Sequence, residues 1–108
     1  MPQYLEDTMF DGEAIRDTDA HNSATVPAHE LPIKTLIINN GLNQTATCQV
    51  QASRDATNWF NVGSAFDVTN GWTYQTCDTF FPYGRMVVQC SVAPTTGTFS
   101  AWCEKVGK

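Results

Sequence analysis

Apolar and polar residues alternate along most of the chain after residue 32, as expected for β-strands that bury one face. The alternation is clearest at residues 45–53, with the sequence TATCQVQAS. There it predicts a strand whose inward residues are Ala46, Cys48, Val50 and Ala52. At residues 33–39 both faces carry apolar side chains, which is typical of a strand covered on both sides.

The last third of the chain, from Phe81 to Val106, contains two further alternating runs around a turn at residues 93–97. This arrangement predicts a β-hairpin that needs a covering sheet, because a lone hairpin is only marginally stable. The predicted inward residues are Met86, Val88, Cys90 and Val92 in the first run and Phe99, Ala101 and Cys103 in the second. Trp102 would then point outward.

Turn signals separate the short runs, including Asn39-Asn40-Gly41 and Asn70-Gly71, both typical of hairpins. Charged residues make up only 16% of the chain, and Thr, Asn, Ser, Val and aromatic residues are frequent, which favours strands over helices. We count six to eight short strands at the spacing of a sandwich. The sequence therefore predicts an all-β fold, a two-layer antiparallel β-sandwich of Ig-like or jelly-roll type, over residues 32–108.

Residues 1–31 show neither the two-residue period of a strand nor the 3.6-residue period of a helix, and they are strongly acidic. They hold seven acidic residues and one basic residue, a net charge of −6, whereas residues 32–108 hold four acidic and five basic residues, a net charge of +1. One interpretation is a flexible tail. The other, which we favour because the segment carries large apolar residues, is an extended acidic N-terminal arm that becomes ordered on a neighbouring molecule. Its predicted contact residues are Tyr4, Leu5, Met9, Phe10 and Ile15 as apolar anchors, with Asp11 and Asp17 opposite basic residues of the partner.

The charge distribution also bears on the class of partner. Nucleic-acid binding requires a basic surface, which this chain lacks, so we expect no nucleic-acid partner. No apolar run reaches 18 residues, so we expect no membrane span. An acidic arm is compatible with a basic protein surface.

The four cysteines can form disulfides or serve as buried thiols. There is no C-x₂-C spacing, so we expect no structural zinc site. In the predicted hairpin register Cys90 and Cys103 would lie roughly 13 Å apart, beyond disulfide reach. Cys48 could still pair with Cys90 or Cys103, leaving Cys77 to the remaining thiol, or the cysteines could be reduced.

Other candidate chemistry is sparse. Asp17-x-Asp19-x-His21 with Glu13 resembles a cation site, but the segment lacks the glycine bend of a calcium loop, and we expect a solvated acidic stretch without metal. The two histidines have no nucleophile beside them, and the four carboxylates of residues 32–108 show no spacing for acid–base chemistry. We therefore expect no enzyme activity and no cofactor.

Aromatic residues are the more informative feature. Those expected on the surface are Trp59, Trp72, Tyr74 and Trp102. An outward-facing tryptophan on a sandwich indicates a protein contact or a platform for sugar rings, unless a second layer covers it.

Three stretches resemble small β-sandwich virion proteins of tailed phages, of the capsid decoration or cement type. They are SRDATNWFNVG at residues 53–63, PYGRMVV at residues 82–88 and PTTGTFSAW at residues 94–102. The resemblance is one of pattern and covers about residues 33–106. It implies a structural role on the capsid surface of a virion, with the major capsid protein or another virion subunit as partner and a homo-oligomer, dimer or trimer, as the assembly. The alternative function is a carbohydrate-binding β-sandwich module.

Overall fold

The computed structural model describes residues 4–27, 33–77 and 82–106, and within them the chain forms ten β-strands. Their bounds are β1 Tyr4–Glu13, β2 His21–Asn22, β3 Val26–Pro27, β4 Ile33–Asn40, β5 Ala46–Ser53, β6 Trp59–Asn61, β7 Phe66–Val68, β8 Gly71–Cys77, β9 Tyr83–Gln89 and β10 Phe99–Val106. A search of these residues finds no helix long and apolar enough to cross a membrane.

The strands form two antiparallel sheets. Sheet A has the order β1-β10-β4-β8. Sheet B has β9 and β5 at its centre, with the short strands β2 and β3 along the free side of β9 and β6 and β7 along the free side of β5. The predicted all-β sandwich is confirmed.

The order of the strands is that of a jelly roll. If β2 and β3 are counted as one strand and β6 and β7 as another, the described residues form eight strands. The first of these pairs with the last, the second with the seventh, the third with the sixth and the fourth with the fifth. This is the pattern of one long antiparallel hairpin rolled into two sheets.

The core lies between the sheets and follows the alternation in the sequence. On β5, Ala46, Cys48 and Ala52 are buried as predicted. Met86, Val88 and Cys90 are buried on the β9 side, and Phe99, Ala101 and Cys103 are buried on β10, also as predicted. Val92 is the exception, since it lies in the loop after β9 and is 55% exposed.

The predicted hairpin of residues 81–106 is wrong. β9 belongs to sheet B and β10 to sheet A, so the loop between them crosses from one layer to the other. Contacts with the β4–β5 loop hold it there: Asn43 accepts a hydrogen bond from the Thr95 amide at 2.9 Å, and the Gly41 amide donates to the Thr98 carbonyl at 2.8 Å. At Gly97, which has a positive φ of 89°, a Cβ would collide with the Gly41 carbonyl. The loop therefore packs against another loop instead of closing a two-strand turn.

The predicted boundary at residue 31 also needs correction. β1 pairs with β10 from Tyr4 opposite Val106 to Glu13 opposite Phe99, and β2 and β3 pair with β9. Residues 4–27 are therefore part of the sandwich and not a separate arm, while residues 1–3 and 28–31 lie outside the described residues. The period-2 signal is missing because the register shifts twice along β1, between Thr8 and Phe10 and again before Glu13.

Candidate interaction surface

The outer face of sheet A carries a cluster of large apolar side chains, which we call the aromatic face. Its members are Ile37, Trp72, Tyr74 and Trp102. Tyr74 lies opposite Ile37 on the neighbouring strand, and Ile37 lies opposite Trp102 on the next, so the three form one row across β8, β4 and β10. Trp72 and Trp102 stack with ring centroids 5.7 Å apart and ring planes 10° from parallel.

These side chains face outward because of the alternation that fills the core. On β10 the inward residues are Phe99, Ala101 and Cys103, which leaves Trp102 on the opposite side of the sheet. On β4, Leu36 and Ile38 are buried, which turns Ile37 outward. Since β8 is the edge strand of the sheet, its side chains are covered on one flank only.

The exposure of the aromatic face is large for side chains of this kind. Trp72 is 67% exposed and Tyr74 is 68% exposed, whereas Trp102 and Ile37 are partly covered by their neighbours. The next row of the same face is polar: Thr76, Thr35, Glu104 and Glu6. An apolar centre beside a polar margin is the usual composition of a surface that binds another macromolecule.

Trp59 is not part of this surface. It lies on β6 in sheet B, where the Arg85 guanidinium sits 4.2 Å from its ring centroid in a cation–π contact. Of the four aromatic residues predicted as surface contacts, the structure thus brings three together and places the fourth on the other sheet.

Several predicted anchors of the N-terminal segment lie in the core of their own chain. Met9 and Phe10 are each 5% exposed and Ile15 is fully buried. Phe10 packs edge-on against Phe99, with ring centroids 5.4 Å apart. In this fold these three side chains cannot anchor the chain on a neighbour, because a partner would reach them only after they had left the core.

The remaining residues of that prediction have different surroundings. Leu5 is 42% exposed and Asp11 is exposed, while the Tyr4 side chain is outside the described residues. The Asp17 carboxylate lies 2.7 Å from Nε2 of His21, a hydrogen bond that lowers the pKa of Asp17. Within the described ranges, no three His, Cys, Asp or Glu side chains are grouped so as to hold a metal ion.

The four cysteines are free thiols. Burial raises the pKa of Cys48 to about 12 and that of Cys103 to about 11, and it also raises the pKa of Cys90. These three thiols are therefore protonated at neutral pH and behave as small apolar core residues. Cys90 follows a strand of sheet B and Cys103 lies in sheet A, so the hairpin register that separated them in the prediction does not exist.

A buried ion pair between the first and last strands was not predicted from the sequence. Lys105 is 1% exposed, its ammonium contacts the Asp7 carboxylate, and it donates a hydrogen bond to the Pro27 carbonyl at 3.1 Å. Lys34, directly opposite Lys105 on β4, is also buried. The signal was present, since Lys105 continues the inward positions of β10 two residues after Cys103.

A small cavity lies between the sheets beside this ion pair. Its apolar lining includes Met9, Val26, Leu36, Val50 and Cys103. Its volume of about 30 Å³ corresponds to one water molecule, far below the several hundred Å³ of a small-molecule site. This cavity is therefore too small to hold a small-molecule ligand.

No family model matches the chain, and no curated protein matches it in sequence. Among solved structures, the crystal structure of the PBSX exported protein XepA is similar, with a TM-score of 0.70 and 14% sequence identity. The similarity covers 95% of this chain and 37% of the XepA chain. The chain thus spans well under half of that protein and shares its fold over that part.

Proposed function

We propose that the chain is a non-enzymatic structural protein of a phage particle, and that its aromatic face binds another protein subunit of that particle. The major capsid protein is the first candidate partner, with the protein in a decoration or cement role on the capsid surface. The observation that carries the proposal is the exposure of Trp72 and Tyr74, both about two-thirds accessible, on the outer face of sheet A.

Two further points support this assignment. XepA, which shares the fold, is a phage PBSX protein described as exported. The pattern-level resemblance to capsid decoration proteins points the same way. In this proposal the attachment surface is the outer face of sheet A, because Met9, Phe10 and Ile15 are buried in the core of their own chain.

The chemistry of the aromatic face suits a protein partner. Trp and Tyr bury a large apolar area with little loss of side-chain freedom, and they dominate the binding energy of many protein interfaces. Ile37 and the Trp72–Trp102 stack add a rigid apolar centre. The polar row beside it would form the solvent-accessible rim.

The proposal is tested by adding the purified protein back to particles of its phage from which its gene has been deleted, followed by sedimentation. We expect the wild type to sediment with the particles and the double variant Trp72→Ser, Tyr74→Ser to remain in the supernatant. The matched control is Phe60→Ser with Val92→Ser, which removes two exposed apolar side chains elsewhere, and it should bind like the wild type. Absence of wild-type binding, or equal binding of the aromatic double variant, would overturn the proposal.

A carbohydrate-binding module is the second candidate, because the exposed Trp72 and Tyr74 rings lie beside polar side chains that can hydrogen-bond sugar hydroxyls. The stacked geometry is less favourable for it, since one ring face of Trp102 is covered by Trp72 and a sugar platform uses an open ring face. A glycan array probed with the particle-free protein separates the two functions. Glycan binding that the Trp72→Ser, Tyr74→Ser variant loses would favour the second candidate.

A further inference from the structure

The four edges of the two sheets are not equally protected against pairing with another strand. An edge strand exposes unpaired backbone N–H and C=O groups, and monomeric proteins usually block such edges with charges, proline, bulges or very short strands. Comparing the edges of the described strands therefore indicates which of them is suited to a partner.

Three edges carry such protection. The β1 edge of sheet A has four acidic residues, a glycine with positive φ and two register shifts. The β2–β3 edge of sheet B consists of two two-residue strands, the second of which ends in Pro27. The β6–β7 edge consists of two three-residue strands, separated by a segment that includes Gly63.

The β8 edge has a positive-φ glycine only at its first residue, Gly71, and shows none of the other features. β8 is seven residues long, with the sequence GWTYQTC, and contains no charge and no proline. It pairs with β4 in continuous register from Cys77 opposite Lys34 to Gly71 opposite Asn40, and no described strand lies on its other side. Trp72, Thr73, Tyr74, Gln75 and Thr76 are all exposed.

We propose that β8 pairs antiparallel with β8 of a second copy of this chain, forming a two-fold dimer with one continuous sheet. The choice of occupant follows from charge. The chain carries a net charge of −5, and the acidic edge of β1 would repel its own copy, whereas β8 meets a second β8 without opposing like charges. The inference goes beyond the proposed function and does not depend on it.

The register of this pairing follows from the strand itself. A two-fold axis through Tyr74 pairs the whole of β8, with Trp72 opposite Thr76 and Thr73 opposite Gln75 of the other copy. Opposed residues in a sheet point to the same side, so the outer faces of the two copies join. The dimer thereby presents two aromatic faces side by side, which would raise the affinity for a repetitive surface through multivalency.

The test uses charge at two positions that are exposed but are not part of the aromatic face. In the double variant Thr73→Lys, Gln75→Lys, each lysine faces a lysine across the two-fold axis. We expect the wild type to sediment in analytical ultracentrifugation with twice the 11.9 kDa mass of the chain, and the variant to sediment as a monomer. Its dissociation constant should rise at least about 100-fold.

A charge-reversed partner makes the test specific. Mixing that variant with the double variant Thr73→Glu, Gln75→Glu should restore a dimer, because lysine then faces glutamate. The matched control, Thr8→Lys with Ala14→Lys, adds the same charge at exposed positions on or beside the β1 edge and should remain dimeric. A monomeric wild type, a lysine variant that stays dimeric, or failure of the mixture to reassociate would each overturn the inference. None of these outcomes bears on whether the aromatic face is needed for particle binding.

Discussion

The outer faces of the two sheets differ in whether their side chains have contacts within the chain. On sheet B, Gln51 accepts a hydrogen bond from Arg85 at 2.8 Å and donates one to Asn61 at 3.0 Å, and Thr47 donates to Asp67 at 2.8 Å. On sheet A, the corresponding surface carries exposed aromatic rings. A face whose polar groups already have partners within the chain gains little from a binding partner, whereas exposed rings gain by being buried.

Sheet A is completed on one side by β1, which pairs with β10. Phe10→Ala should therefore have the largest effect, destabilising the fold by about 3–5 kcal/mol, because it empties a core position against Phe99. Urea unfolding measures the change. Leu5→Ala, on the same strand but 42% exposed, should cost less than about 1 kcal/mol. Equal costs for the two variants would mean that β1 is detached in solution.

The ion pair between Lys105 and Asp7 should have the next largest effect. Asp7→Asn should destabilise the fold by about 2 kcal/mol, because the buried Lys105 ammonium loses its carboxylate. The expected cost lies below that of a fully buried pair because the Asp7 side chain is 32% exposed. Asp11→Asn, an exposed position of the same strand, serves as the control, and a cost as small as for Asp11→Asn would contradict the account.

One substitution on each outer face tests whether the two faces differ in their contribution to stability. Gln51→Ala should lower the free energy of unfolding by about 1 kcal/mol, since it removes the hydrogen bonds to Arg85 and Asn61. Tyr74→Ser should change it by less than about 0.5 kcal/mol, since the ring is mostly exposed. Thermal and urea unfolding measure both variants. The reverse order would show that the aromatic face serves stability and not binding.

The smallest effect concerns acid stability at the β5–β6 turn of sheet B. The backbone amides of Asn58 and Thr57 donate to the Asp55 carboxylate at 2.9 Å, which holds the pKa of Asp55 well below its ordinary value of 3.8. A depressed carboxyl pKa stabilises the fold above pH 3.8, and this contribution is lost as the pH falls towards the folded-state pKa. When the free energy of unfolding is measured from pH 5 down to pH 2, it should therefore decline less steeply for Asp55→Asn than for the wild type. Parallel curves would contradict the expected role of this turn.

Much of the sandwich could be predicted from the sequence, because burial alternates along β10 and along the first residues of β5. Which strands pair could not be predicted. Asn70-Gly71 and the turn at residues 93–97 indicate that the chain reverses, but in both cases the next strand joins the opposite sheet. A turn signal reports local backbone geometry, whereas sheet membership depends on contacts between distant strands such as β1 and β10.

The aromatic face was predicted only in part, for a similar reason. Alternation placed Trp102 outward, but its contact with Trp72 depends on β8 and β10 both flanking β4, which no local pattern specifies. The burial of Met9 beside Phe10 escaped prediction because a register shift lets two consecutive residues face the core. Large apolar residues within an acidic segment were the signal, but such residues predict contacts within the chain and contacts with a neighbour equally well.

Hydroxyl-radical footprinting of the free and the particle-bound protein would show whether the aromatic face is the surface that binds the particle, and it needs no substitution. Trp72 and Tyr74 are the most exposed aromatic side chains among those described, and Phe60 and Val92 provide exposed reference positions elsewhere. We expect oxidation of Trp72 and Tyr74 to fall sharply on the particle while that of Phe60 and Val92 is unchanged. Unchanged oxidation of Trp72 and Tyr74 in the bound protein would mean that the aromatic face does not bind the particle.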